Sequence, residues 1–133
     1  MKRALTGIVL AVVLLLAAGC RTSHESDDQF LQRFMGTWKY EENGETYTLD
    51  LKDNVETVGV YQSETLSRGE FKIDELNRDV PYIVIHGFSE DLTAAQPGSK
   101  TEYYSKLTLT ENDSKLLYVY DYKREKIESV WHR

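Results

Sequence analysis

From Gly36 to the C-terminus the sequence alternates apolar and polar residues, and a turn signal interrupts it about every 8–12 residues. This constrains the fold more than any other feature, because a period of two puts every second side chain on one face of a strand. Trp38 and Tyr40 alternate with Thr37, Lys39 and Glu41 before Asn43-Gly44, a strong hairpin signal. Tyr47, Leu49 and Leu51 follow, and Lys52-Asp53-Asn54 turns the chain again. Val58 and Val60 fall in a third strand around residues 55–62, and Phe71 and Ile73 in a fourth that ends at a turn over residues 75–79.

Residues 81–87 (PYIVIHG) are apolar at consecutive positions, which suits a strand covered on both faces. A longer loop is expected over residues 88–100. Tyr103, Leu107 and Leu109 mark a sixth strand. Tyr118, Tyr120 and Tyr122 share one face of a seventh, and Ile127, Ser129 and Trp131 one face of the last. Short connections make about eight such strands antiparallel neighbours, and closure removes their edges. The expected fold is all-β: an up-and-down antiparallel β-barrel of about eight strands, with a two-sheet sandwich as the alternative. Before it, Phe30, Leu31, Phe34 and Met35 have the spacing of a short amphipathic helix over residues 29–35, capped by Asp28 and ended by Gly36.

The N-terminus has a different organisation. Lys2 and Arg3 precede an apolar run from residue 4 to 16, then the small residues Ala17, Ala18 and Gly19. This is the pattern of a secretory signal, too short to span a bilayer comfortably. The lone cysteine, Cys20, comes next. Residues 16–20 (LAAGC) resemble the lipobox of bacterial lipoproteins, with Ala17 in the position usually held by Leu. The resemblance implies a signal peptide over residues 1–19 and diacylation of the Cys20 sulfur. Two or three acyl chains anchor a protein stably, at about 0.8 kcal/mol per buried methylene. Residues 20–28 then form the lipidated cysteine and a polar tether, and residues 29–133 the domain. The expected location is the extracytoplasmic face of the cell membrane, or the outer membrane where two membranes are present. Arg21 rather than Asp after the cysteine favours the latter by resemblance to enteric lipoproteins.

The chain carries 22 acids against 16 bases, a net charge of −6, and removing a signal that contains Lys2 and Arg3 takes it to −8. Such a surface argues against nucleic acid and suits a basic protein partner. With Cys20 acylated no disulfide is possible, so a hydrophobic core must hold the domain.

Residues 34–38 (FMGTW) have the form F-x-G-x-W where the helix should meet the first strand. This resembles the opening motif of the calycins, the lipocalins and fatty-acid-binding proteins. The resemblance implies that Gly36 turns the chain into the barrel and that Trp38 closes its floor. It also implies an arginine packed over that tryptophan, with Arg133 the best match and Arg124 the second. The strands are short for a deep lipocalin cup, and the chain ends on a strand rather than on the helix that flanks many lipocalin barrels.

No constellation of nucleophile, base or metal ligands stands out, so no enzyme, cofactor or metal is expected. His86, near Ser89, loosely resembles a nucleophile elbow but lacks the second glycine and the surrounding α/β pattern. His24 and His132 have no metal-spaced partner, and the acidic pairs suit solvated turns. Tyr40, Tyr47, Leu49, Val60, Phe71, Ile73, Tyr103, Leu107, Tyr118, Tyr120 and Trp131 are candidates to line a cavity. Their rings and hydroxyls would orient an amphipathic ligand, and they equally suit ordinary core filling. The expected function is therefore an anchored envelope lipoprotein whose barrel binds a small hydrophobic or amphipathic ligand. The alternatives are an envelope inhibitor that binds a basic protein such as a lysozyme, and a structural lipoprotein without ligand.

Overall fold

A computed structural model describes residues 25–93, 98–124 and 126–133. The expected signal peptide, Cys20, His24 and residues 94–97 of the long loop lie outside the described residues. Among the described residues no helix is long and apolar enough to cross a membrane.

The chain divides between Leu31 and Gln32. On the N-terminal side, helix α1 (Asp27–Gln32) begins two residues before the expected start. Ser26, not Asp28, caps it. The Gln29 amide donates to Ser26 Oγ at 3.1 Å, and the Ser26 amide donates to Gln29 Oε1 at 3.1 Å. This reciprocal pair satisfies two amides that the helix leaves free.

The second unit is a closed barrel of eight antiparallel strands, each paired with its neighbours in sequence. They are β1 (Gly36–Glu42), β2 (Glu45–Lys52), β3 (Val55–Val60), β4 (Thr65–Asn77), β5 (Tyr82–Asp91), β6 (Lys100–Thr110), β7 (Lys115–Tyr120) and β8 (Ile127–His132). Tight turns set the register. Asn43 and Gly44 both have positive φ (53° and 80°), as do Asp53 and Asn54 (50° and 61°), the geometry that matches strand twist in a two-residue hairpin. Strands β4 and β5 outrun the sequence expectation. A bulge between Ile73 and Glu75 lets β4 continue through the expected turn, and β5 continues through Asp91. Ile83, Val84 and Ile85 are all buried, so both faces of β5 are shielded there.

Paired residues on neighbouring strands point to the same side. The pairs Trp38–Leu49, Leu51–Glu56, Glu56–Gly69, Phe71–Gly87, Gly87–Tyr103, Leu107–Tyr118 and Leu116–Trp131 therefore trace one inward face. One end of the barrel takes the turns at 53–54, 78–81 and 111–114, together with Gly36 and Arg133. The other takes the connections at 43–44 and 61–64, with residues 92–93 and 98–99 after β5 and before β6, and residues 121–124 after β7.

The first end is closed. Gly36, at φ 108°, makes the bend into β1 that a Cβ would strain. Trp38 is fully buried, and its Nε1 donates to the Phe34 carbonyl at 2.8 Å. The Arg133 guanidinium lies 4.1 Å from the Trp38 ring centroid and donates to the Arg33 carbonyl. Arg33 grips Asp113 in a fork, Nε to Oδ2 at 2.7 Å and a terminal nitrogen to Oδ1 at 2.9 Å. Above this floor Leu49, Leu51, Ile83, Leu107, Leu109 and Leu116 fill the interior.

Candidate functional site

Midway up the barrel the apolar filling is interrupted by a carboxylate. Glu56 pairs with Leu51 and Gly69, which puts its side chain on the inward face, and it is 7 % exposed. Tyr103 of β6 reaches across β5 and β4 and donates to Glu56 Oε2 of β3 at 3.2 Å. Tyr118 of β7 donates to Oε1 from the other side. Gly69 makes the first contact possible, because a Cβ there would stand 2.6 Å from the Tyr103 hydroxyl. Burial pushes the Glu56 carboxyl up to about 7, against the two tyrosine hydrogen bonds that stabilise its charge. Burial also raises Tyr103 and Tyr118 above the ordinary tyrosine range, and the Glu56 charge raises them further. All three are thus held in a low-dielectric centre where a proton on the carboxyl is nearly as stable as its absence. Ser105, fully buried, shares this layer and eases the Tyr118 shift.

Toward the second end the inward face opens. Tyr40, Tyr47, Val58, Val60, Ser67, Ser89, Tyr120 and Ser129 occupy inward register positions and are only half-buried, and Ile127 at the rim is 55 % exposed. Aromatic rings line one side of this cup. Tyr40 lies between Tyr47 and Trp131, with centroids 6.4 Å and 5.5 Å away. Tyr120 stacks on Tyr103 at 5.8 Å, which joins the wall to the Glu56 layer below. Trp131 Nε1 donates to Ser129 Oγ at 2.8 Å. At the lip, Glu42 and Glu45 face each other across the β1–β2 hairpin on the same inward register as Tyr40 and Tyr47. The Tyr47 hydroxyl donates to Glu45 at 3.0 Å, and this bond, followed by the carboxylate's charge, raises the Tyr47 pKa.

The residues singled out from the sequence fall into three layers. Gly36, Trp38 and Arg133 meet at the closed end, and Arg124 stands in the β7–β8 connection. Leu49, Leu107, Phe71, Tyr103, Tyr118 and Trp131 are buried in the body, while Ile73 is half-buried beside the β4 bulge. Tyr40, Tyr47, Val60 and Tyr120 line the cup. Tyr122 is not part of this face, because β7 ends at Tyr120 and Tyr122 lies in the following turn.

Glu56 was missed by the sequence reading. Its signal was present: Glu56, Val58 and Val60 alternate on one face, and an acid in such a register is inward.

His86 and Ser89 do not meet. They stand on opposite faces of β5. On the outside His86 stacks flat on Tyr104 at 4.1 Å, its Nε2 is 3.5 Å from Glu102, and Lys123 covers Tyr104 at 3.7 Å. An open groove of about 360 Å³ runs beside it between Glu70, Lys72 and Phe88. Among the described residues no group of three or more His, Cys, Asp or Glu side chains is placed to hold a metal ion. Comparison with protein-family models, with curated proteins and with solved structures returned no match.

Proposed function

We propose that this chain is a lipid-anchored envelope lipoprotein whose lipocalin-like barrel binds a small amphipathic ligand in its open end, and that it is a binder rather than an enzyme. One observation carries the reading: the inward face passes from complete burial at the Trp38 floor to half-exposed rings and hydroxyls at the other end. A barrel whose only task was to fold gains nothing from leaving Tyr40, Tyr47, Val60 and Tyr120 in reach of solvent, since their burial would stabilise it. The apolar rings take the ligand's body, and the hydroxyls with Glu56 beneath them fix its polar group. Acyl chains on Cys20 would hold the barrel at the membrane through the tether.

The test is native mass spectrometry of the full-length chain purified from its own envelope in neutral detergent. The expected result is a reproducible added mass that organic extraction removes. A bare polypeptide that also fails to take up fatty acids, phospholipids and hydrophobic dyes would refute the binding reading. Attention would then pass to basic protein partners. Metabolic labelling with a radioactive fatty acid tests the anchor separately, and a label that survives Cys20→Ser would refute attachment at that sulfur.

A further inference from the structure

We infer that the ligand of this cup is an organic cation, an ammonium group carried on an apolar body; the inference rests on the binding reading above. Register decides which charges face inward. Glu42 and Glu45 at the lip, Glu56 in the centre and Asp91 at the end of β5 all occupy inward positions. Every lysine and arginine within the described strands, from Lys39 on β1 to Lys115 on β7, occupies an outward one. Bases do stand around the mouth, but at outward positions: Lys100 opens β6 opposite Glu90, Lys39 lies 5.2 Å from the Tyr61 ring centroid, and others belong to the β7–β8 connection. There Lys123 lies on the outer ring of Tyr104, and Arg124 and Lys126 are exposed.

A carboxylate or phosphate head would therefore pass the carboxylates at the rim, approach Glu56 beneath, and meet no inward base on the described strands. An ammonium head meets the opposite environment. Tyr47, Tyr40 and Trp131 form a continuous arc of rings across β2, β1 and β8, tilted about one another by 40° and 43°. Aromatic faces attract a cation through their quadrupoles, and carboxylates beside them add a screened but favourable field. The Tyr47 hydroxyl, by donating to Glu45, holds one of those carboxylates at the edge of the arc. The charge pattern thus disfavours fatty-acid-like anions in a barrel whose general form would otherwise admit them, and it suits a trap for amines or quaternary ammonium compounds.

Three short probes with the same tail separate the possibilities: hexyltrimethylammonium, heptanoate and hexyl glucoside. Binding is followed by calorimetry on the full-length chain in neutral maltoside micelles, with empty micelles as the blank. The expected result is saturable binding of the ammonium probe and weaker binding of the other two. Replacing both lip carboxylates (Glu42→Gln with Glu45→Gln) should weaken the ammonium probe by roughly tenfold while leaving the glucoside unchanged. Those residues are exposed, so the double variant keeps its fold, and its unfolding curve checks this. Heptanoate binding as tightly as the ammonium probe, or an unchanged ammonium affinity in the double variant, would overturn the cation inference and leave the binding reading standing. Failure of all three probes, together with a bare native mass, would overturn both.

Discussion

Glu56→Gln isolates the electrostatics of the barrel's centre. The folded state raises this carboxyl from its ordinary 4.5 to about 7, chiefly by burial. Folded protein thus binds a proton at Glu56 more tightly than unfolded chain does. Between pH 4.5 and 7 the folded state carries more protons, so stability falls as pH rises through that window and levels off above it. At 1.36 kcal/mol for each tenfold change in proton affinity, the full loss is about 3 kcal/mol. Glutamine does not titrate. Its carbonyl accepts from one tyrosine and its NH₂ donates to the other's oxygen, so it mimics the protonated acid. The variant should match the parent near pH 4 and exceed it by about 3 kcal/mol at pH 8, a midpoint difference of roughly 10 °C or more. Urea unfolding at pH steps from 4 to 8 measures this directly. The window is separate from the two tyrosines, which burial raises above the ordinary tyrosine range, and from Asp113, which Arg33 holds below the ordinary carboxylate range. Parallel stability curves for parent and variant would show that Glu56 is not held in a low-dielectric centre, and the account of the Tyr103–Glu56–Tyr118 layer would fall.

Gly69→Ala puts a methyl group 2.6 Å from the Tyr103 hydroxyl and should destabilise the barrel by about 1–3 kcal/mol in urea, with much less effect if Tyr103→Phe is already present. Arg133→Ala removes the cation over Trp38 and the bond to the Arg33 carbonyl; a loss of about 0.5–2 kcal/mol is expected, with a change in Trp38 fluorescence. Asp113→Asn breaks the fork to Arg33. The hydrogen bond from Arg33 depresses the Asp113 pKa, so its contribution exists above the ordinary carboxylate range and disappears as pH falls through the lowered value. Because the pair is partly exposed, the variant should lose no more than about 1 kcal/mol at pH 7 and flatten the acid limb of the stability curve.

Turn chemistry and alternation were enough to read the barrel. Asn43-Gly44 and Asp53-Asn54 set the hairpins where expected, and the alternation of Trp38, Leu49, Leu107 and Trp131 marked the inward face. Strand ends were less legible. The β4 bulge at Ile73/Glu75 resets the alternation, so Glu75 and Leu76 look like a turn although they are paired. The helix start was misplaced because Asp28 and Ser26 are both good caps, and the choice depended on Gln29 reaching back. The centre of the site was the least legible. A glutamate beside a turn is ordinarily solvated, and the partners that make Glu56 tolerable lie 47 and 62 residues away in sequence. Gly69 likewise gives no local sign that it is the space for a tyrosine from another strand.

The order of the strands also sets how the barrel assembles. Every hairpin joins neighbours in sequence, and the tall β4–β5–β6 side can form from local contacts alone. Among the strand pairings the exception is the β1–β8 seam, which the Arg133–Arg33 bond accompanies, its partners 100 residues apart. Bringing such distant segments together has the greatest loop-closure entropy and follows the local pairings. The seam is therefore the last to form and the first to part. Arg133→Ala should speed unfolding and leave the refolding rate nearly unchanged in stopped-flow chevrons; slowed refolding would place the seam in the nucleus instead.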